Sequence, residues 1–208
     1  MNLTITQKQG YDALVKATAG LSKQHQAYVL ATAWHETGRT MQPIVERGGP
    51  KYFAKYEAGT SIGRSLGNTM KGDGVKFIGR GYVQITGRAN YAKFSKLLGV
   101  DLVAKPDLAL DPSTATQIIV IGMTKGLFTG KKMSDYTAFR DMRRVVNGMD
   151  KADAIAGYAV EFLSMLEAIP APVIAAPQPA PIVSGGKADI AMTPAVPWWK
   201  RLFQKSQA

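Results

Sequence analysis

Apolar positions recur with a helical period through most of the first 167 residues. A first helix is predicted after Thr6, ending near Gly20. A second starts at Ser22, a residue suited to an N-cap, and places Val29, Leu30, Ala33 and Trp34 on one side. It runs out near Gly38, so His35 and Glu36 fall on its last turn. Residues 39 to 80 are Gly-rich with few long apolar patterns, which reads as a long loop region with a short strand pair. Tyr82-Val83-Gln84-Ile85-Thr86 alternates and is rich in β-branched residues, the signal of a short strand. Helical spacing returns at Tyr91, Phe94, Leu97 and Leu98 and stops at Gly99. Asp111-Pro112 opens a helix through Ile118, Val120 and Ile121. Ser134 opens another through Tyr136, Phe139, Met142 and Val146, ended by Asn147-Gly148. Asp150 caps a last helix carrying Ile155, Tyr158, Phe162, Leu163 and Leu166 on one face. These stripes are read as core.

The pattern then ends. Residues 1–167 read as one domain, 168–196 as an extended Pro/Ala-rich linker, and 197–208 as a basic aromatic tail. From Ala168 onward Lys187, Lys200, Arg201 and Lys205 stand against Asp189, a net +3 of the chain's +11. The globular part therefore carries +8. Such a balance favours polyanionic partners, whether nucleic acid, anionic lipid or an anionic cell wall. No nucleic-acid recognition motif accompanies the charge.

Composition narrows the chemistry further. With 46% hydrophobic residues the chain can bury a core, and no apolar run approaches the roughly 20 residues of a spanning helix. Met1 to Gly10 is polar and mixed, so no signal peptide is expected. Cysteine is absent, which excludes disulfides and thiol catalysis, and two His leave little scope for zinc. Neither a metal nor a cofactor is expected. His35-Glu36 lacks the second His of a zinc helix, no nucleophile elbow is present, and Gly79-Arg80-Gly81 lacks the remainder of a dinucleotide fingerprint.

Carboxylates remain. Glu36 lies in Trp34-His35-Glu36-Thr37-Gly38, and Glu46 in a loop ahead of Arg47-Gly48-Gly49. Inverting glycoside hydrolysis needs one protonated carboxyl and one ionised carboxylate, about 6.5–9.5 Å apart. A Glu at a helix end beside Trp34 suits the first role through desolvation, and one in an open loop beside Arg47 suits the second. Two ordinary solvated glutamates are the plain alternative.

The segment Gly79-Arg80-Gly81-Tyr82-Val83-Gln84-Ile85-Thr86-Gly87-Arg88-Ala89-Asn90-Tyr91 is more specific. It resembles the signature of glycoside hydrolase family 19, the plant-type chitinase family: Gly-Arg-Gly, then Gln, Leu or Ile, Ser or Thr, and Asn-Tyr in fixed register. His35-Glu36-Thr37 resembles the family's segment at the general acid. Met41-Gln42-Pro43-Ile44 with Glu46, and Leu66-Gly67-Asn68-Thr69 with Gly72-Asp73-Gly74, resemble its phage and bacterial branch. Arg144-Val145-Val146-Asn147-Gly148 resembles its Ile-Asn-Gly segment, so the likeness covers roughly residues 25 to 165.

The resemblance implies a mainly α, lysozyme-like helical domain with a small β element and a deep substrate cleft lined by residues 35 to 91. It implies Glu36 as general acid and Glu46 as general base, with Glu57 the rival base. Thr86 would hold the nucleophilic water. Gln84 and Asn90 would bind the sugar's amide and hydroxyls, Tyr82 and Asn147 would line the cleft, and His35 would contact sugar or orient Glu36. Core packing for Tyr82, a helix N-cap for Thr86 and a C-cap for Asn147 are the structural alternatives. One departure is visible: Ala154 stands where the family often has Arg, and Arg143 or Arg144 is the candidate substitute.

Catalytic residues alone do not separate chitin from peptidoglycan, since both present β-1,4-linked N-acetylated sugars. The basic charge, the absence of Cys and the lack of a leader suit a phage endolysin held in the host cytoplasm until a holin releases it to the wall. The expected partner is the peptidoglycan glycan strand, met by a monomer without nucleic acid. Trp198, Trp199, Lys200 and Arg201 are candidates for an anionic membrane contact. A chitinase acting on chitin oligosaccharides, a lytic transglycosylase and a non-catalytic wall-binding module are the rivals.

Overall fold

The computed structural model describes residues 1–168; the expected linker and tail, with Trp198 to Arg201, lie outside the described residues. The elements in chain order are α1 (Ile5–Ala17), α2 (Lys23–Glu36), β1 (Ile44–Val45), α3 (Pro50–Phe53), α4 (Ser61–Ser65), α5 (Asp73–Lys76), β2 (Arg80–Gly81), α6 (Arg88–Leu98), α7 (Pro112–Lys125), α8 (Phe139–Met142) and α9 (Ala152–Ala168). The domain is mainly α with one small β element.

The first helix begins earlier and ends earlier than the pattern suggests. Thr4, not Thr6, is the cap: its side chain accepts from Gln7 N while the Gln7 side chain accepts from Thr4 N. At the other end the Thr18 hydroxyl folds back onto the Leu14 carbonyl at 2.7 Å, closing the helix before Gly20. Ser22 caps α2 as expected, accepting from His25 N at 3.2 Å. Every residue of α2 from Gln26 to Trp34 is buried, so it is the central helix rather than a one-faced one. It packs along α9, where Phe162 sits between the Tyr11 and Trp34 rings at 6.1 and 6.0 Å. Leu14, Leu30, Ile119, Met142, Ile155 and Leu166 belong to this main core, each fully buried. Burial of one such side chain stabilises by roughly 1.5–3 kcal/mol.

Residues 39 to 80 are less of a loop than expected. The strand pair is there, β1 against β2 with Ile44 opposite Gly81 and Val45 opposite Arg80. Between the strands lie α3, α4, α5 and a 3-10 turn over Ala54–Tyr56, pieces too short to leave a periodic stripe. The strand expected over Tyr82–Thr86 is instead a tight turn: Gln84 takes φ +54°, and Ile85 bridges back to Arg80. Beneath it is a second core of Phe77, Ile85, Tyr91, Phe94, Leu102, Ala109 and Ile118.

Two further expectations fail at the C-terminal side. The single helix from Ser134 to Val146 is broken into a 3-10 turn over Met133–Asp135, α8, and a second 3-10 turn over Arg143–Val145. Tyr136 and Ala138 are extended, and the Thr137 carbonyl accepts from the Gln24 side chain on α2 instead of from a helical neighbour. Nor does α9 start from an Asp150 cap. Lys151 takes φ +59°, and the Asp150 carbonyl accepts from Arg143 Nε at 3.0 Å.

Candidate active site

Glu36 closes α2, as the sequence suggests, but its surroundings differ from the expected ones. Trp34 turns into the main core against Phe162 and is 7% exposed. The group that meets the carboxylate is Arg143, whose Nη1 donates to Glu36 Oε1 at 2.6 Å. The guanidinium is buried, the Glu36 side chain 24% exposed. Glu36 Oε2 has no hydrogen-bond partner among the described residues. Tyr28 lies below this pair, fully buried; burial first, and then the Glu36 charge, push its phenol well above its ordinary range, with Arg143 opposing. Thr37 completes the local logic of His-Glu-Thr. Its buried hydroxyl donates to the Ala33 carbonyl at 2.7 Å and accepts from Met41 N at 3.1 Å, locking the chain as it leaves the helix.

Glu46 follows β1 and is held by neutral donors. Its backbone N donates to the Gly79 carbonyl at 2.8 Å, and its Oε2 accepts from Gly79 N at 3.0 Å. Tyr56 donates its phenol to Oε1 at 2.8 Å. Burial and this bond both raise the Tyr56 phenol, so it stays a proton donor at neutral pH. Arg47, the cation expected to keep Glu46 ionised, forms no ion pair with it among the described residues. A side chain at Gly79 would crowd both anchors: a Cβ there would stand 2.9 Å from Gln84 Oε1 and 3.2 Å from Glu46 Oε2. Glu57, the rival base, accepts from Gly72 N at 2.9 Å and ties the Ala54–Tyr56 turn to the start of α5.

Around Glu46 the turn residues are linked. Gln84 spends both amide hydrogens on the Ile44 and Gly81 carbonyls, at 2.8 and 3.1 Å, and so fixes β1 to the turn. Thr86 donates to the Gln84 carbonyl at 3.0 Å, and the Thr86 carbonyl accepts from Asn90 Nδ2 at 2.8 Å. Tyr82, expected to line the cleft, is 1% exposed and belongs to the main core, its hydroxyl donating to the Met41 carbonyl at 3.4 Å. Asn147 is exposed and accepts from Gly148 N at 2.8 Å. His35 is half-buried beside Tyr158, ring centroids 6.4 Å apart. Glu36 and Glu46 share no hydrogen-bond partner among the described residues, and each has its own support.

Two supports escape sequence reasoning. Tyr56 lies ten residues from Glu46 in an unpatterned stretch, and no local signal marks it. Arg143 is visible only as a possible substitute for an absent Arg, yet it serves the Glu36 side. The Gly-Arg-Gly segment also has a buried brace: Arg80 donates to Asp107, to the Lys76 and Ile78 carbonyls and to the Tyr91 phenol. Asp73 forms a second brace, accepting from Arg88 Nε at 2.8 Å and from Thr69 N and Met70 N. Among the described residues no three His, Cys, Asp or Glu side chains converge as a metal site.

No protein-family model matches the chain. A glycosyl hydrolase family 19 domain-containing protein from Haemophilus influenzae is 34% identical over 135 residues, covering 53% of this chain and 67% of that relative. The fold is similar to that of a bacterial family 19 chitinase (TM-score 0.57, 22% identity, 76% of this chain and 85% of the other). It is also similar to chitinase C from Streptomyces griseus (TM-score 0.56, 19% identity, 80% of this chain and 72% of the other). At those identities the solved structures speak for the fold alone. The relative from Haemophilus influenzae, spanned over two thirds of its length, carries the assignment: the chain belongs to glycosyl hydrolase family 19.

Proposed function

We propose that this glycoside hydrolase cuts β-1,4 bonds in the glycan strands of bacterial peptidoglycan by single displacement with inversion, in the manner of a phage endolysin. The observation that carries the chemistry is the contrast between its two glutamates, one against a guanidinium and one held by a phenol and a backbone N–H. On this reading Glu36 Oε2 protonates the glycosidic oxygen, which the engagement of Oε1 by Arg143 supports. As the proton leaves, negative charge develops on Glu36 and the guanidinium stabilises it, an interaction stronger in the transition state than before it. Glu46 takes a proton from the water that attacks the anomeric carbon on the opposite face. The Thr86 hydroxyl spends its hydrogen on the Gln84 carbonyl, which leaves its lone pairs to accept from that water. The excess of cations supports an anionic polymer as substrate over uncharged chitin.

Mass spectrometry of peptidoglycan digested by wild type, Glu36→Gln and Glu46→Gln tests the reading. New reducing ends are expected with wild type, with kcat falling about 10³-fold in each variant. Anhydro-muramic ends made by an active Glu46→Gln would replace it with a lytic transglycosylase, and cleavage of chitin oligomers alone with a chitinase.

A further inference from the structure

A cavity of about 250 Å³ opens beside the Glu36 turn, lined by His35, Gly38, Arg39 and Tyr158. Its wall begins one residue from Glu36, a Cα step of about 3.8 Å. Arg39 is held there by backbone rather than by a counter-ion. The end of α2 is a Schellman motif, with Gly38 N donating to the His35 carbonyl at 3.1 Å and Arg39 N to the Trp34 carbonyl at 2.7 Å. Gly38 takes φ +60°, and Arg39 itself takes φ +71°, a conformation that costs a non-glycine residue free energy. The Arg39 carbonyl accepts from the Gln7 side chain of α1 at 2.9 Å, so the main chain is fixed on both sides. The guanidinium lies 5.6 Å from the Tyr158 ring centre and donates to its hydroxyl at 3.0 Å. No carboxylate among the described residues pairs with it. A fixed, exposed guanidinium with an imidazole and a phenol in one hollow is a donor set for a carboxylate.

We infer that this hollow is a subsite for a carboxylate of the stem peptide that hangs from muramic acid. The inference rests on the peptidoglycan reading above and names what would select that substrate, since chitin carries no such group. Arg39 is then a specificity residue, and its charge acts on the peptide rather than on the bond that breaks.

Kinetics on three substrates test it: glycan strands bearing their peptides, the same strands stripped of peptides by an amidase, and chitohexaose. Arg39→Met is expected to raise KM about tenfold on the peptide-bearing strands, the loss of one charge-assisted contact. The kcat on those strands and both constants on the other two substrates should hold, and Arg39→Lys should recover part of the loss. An equal rise on stripped and peptide-bearing strands, or no rise on either, overturns the inference while leaving the peptidoglycan reading intact. Wild type that cleaves chitohexaose and neither muramic glycan overturns the substrate reading and the inference with it.

Discussion

The two glutamates stand on very different ground. Glu36 ends a fourteen-residue helix buried almost all round, in a core shared by α1, α2, α7 and α9. Glu46 stands at the edge of a two-residue strand, in a lobe of four- and five-residue helices. The first needs one neighbour to complete its site, because apolar packing has already fixed the backbone. The second stands over the smaller core of Phe77, Ile85 and Tyr91, and the carboxylate's own position comes from directed polar contacts: Gly79 N, Tyr56, the Gln84 amide, and the braces at Arg80 and Asp73. A rigid side is built from burial and an assembled side from hydrogen bonds, so the two should fail differently when broken.

The largest effect is expected on the rigid side. Arg143→Met removes the charge that faces Glu36 and the bond to the Asp150 carbonyl, leaving packing in place. If Glu36 is the general acid proposed above, the carboxylate formed on proton transfer then has no countercharge, and kcat should fall about 10³-fold. Stability should fall by about 2–3 kcal/mol in urea, less than for a fully buried pair because Glu36 is partly open to water. Arg143→Lys should regain stability more than rate, since an ammonium cannot bridge Glu36 and Asp150 with a planar fork. An unchanged kcat in Arg143→Met would reduce Arg143 to a structural brace.

What the sequence made legible follows the same division. On the rigid side long apolar stretches and caps at Ser22 and Asp111 are strong local signals, and they place the starts of α2 and α7 to within a residue. On the assembled side elements of four residues carry no period, so residues 39 to 80 read as loop. There the family resemblance, not periodicity, pointed to Gly79, Gln84, Thr86 and Asn90. For Tyr82 the resemblance implied a cleft position, and its burial favours the alternative of core packing. Arg143 was obscured because a charged residue in a helical pattern reads as solvated, while its partner lies 107 residues away.

A smaller effect is expected from crowding the assembled side. In Gly79→Ala the new methyl would meet Gln84 Oε1 at 2.9 Å and Glu46 Oε2 at 3.2 Å. Both are ends of side chains, and the Gln84 Cβ at 3.2 Å has to give by only a few tenths of an ångström, so the fold should survive with a modest loss of Tm while the Glu46 carboxylate moves. A fall in kcat of about 10² is expected for a misplacement of this kind. Tyr56→Phe keeps the ring and loses one hydrogen bond, worth about 1 kcal/mol, or roughly fivefold in kcat. Equal losses of rate and stability in Gly79→Ala would mean that the lobe collapses as a unit.

The last effect bears on stability rather than on the rate, and it changes with pH only in acid. Asp73 is held at about 2, down from its ordinary 3.8, by its hydrogen bonds from Arg88 first and then by the Met70 and Thr69 backbone N–H groups, against the cost of burial. A lowered folded-state value means the carboxylate binds protons less readily folded than unfolded, so its contribution is fully present above about 3.8 and fades as pH falls toward 2. The difference corresponds to about 2 kcal/mol. Urea unfolding of wild type and Asp73→Asn across pH 2 to 7 reads this directly. The stability gap between them should be constant above about pH 5 and close through the window below 3.8, because only wild type has a charge there to lose. If the gap instead persists unchanged to pH 2, the Asp73–Arg88 contact acts by shape rather than charge. The assembled side would then owe its position to the neutral bonds around Glu46 and Gln84.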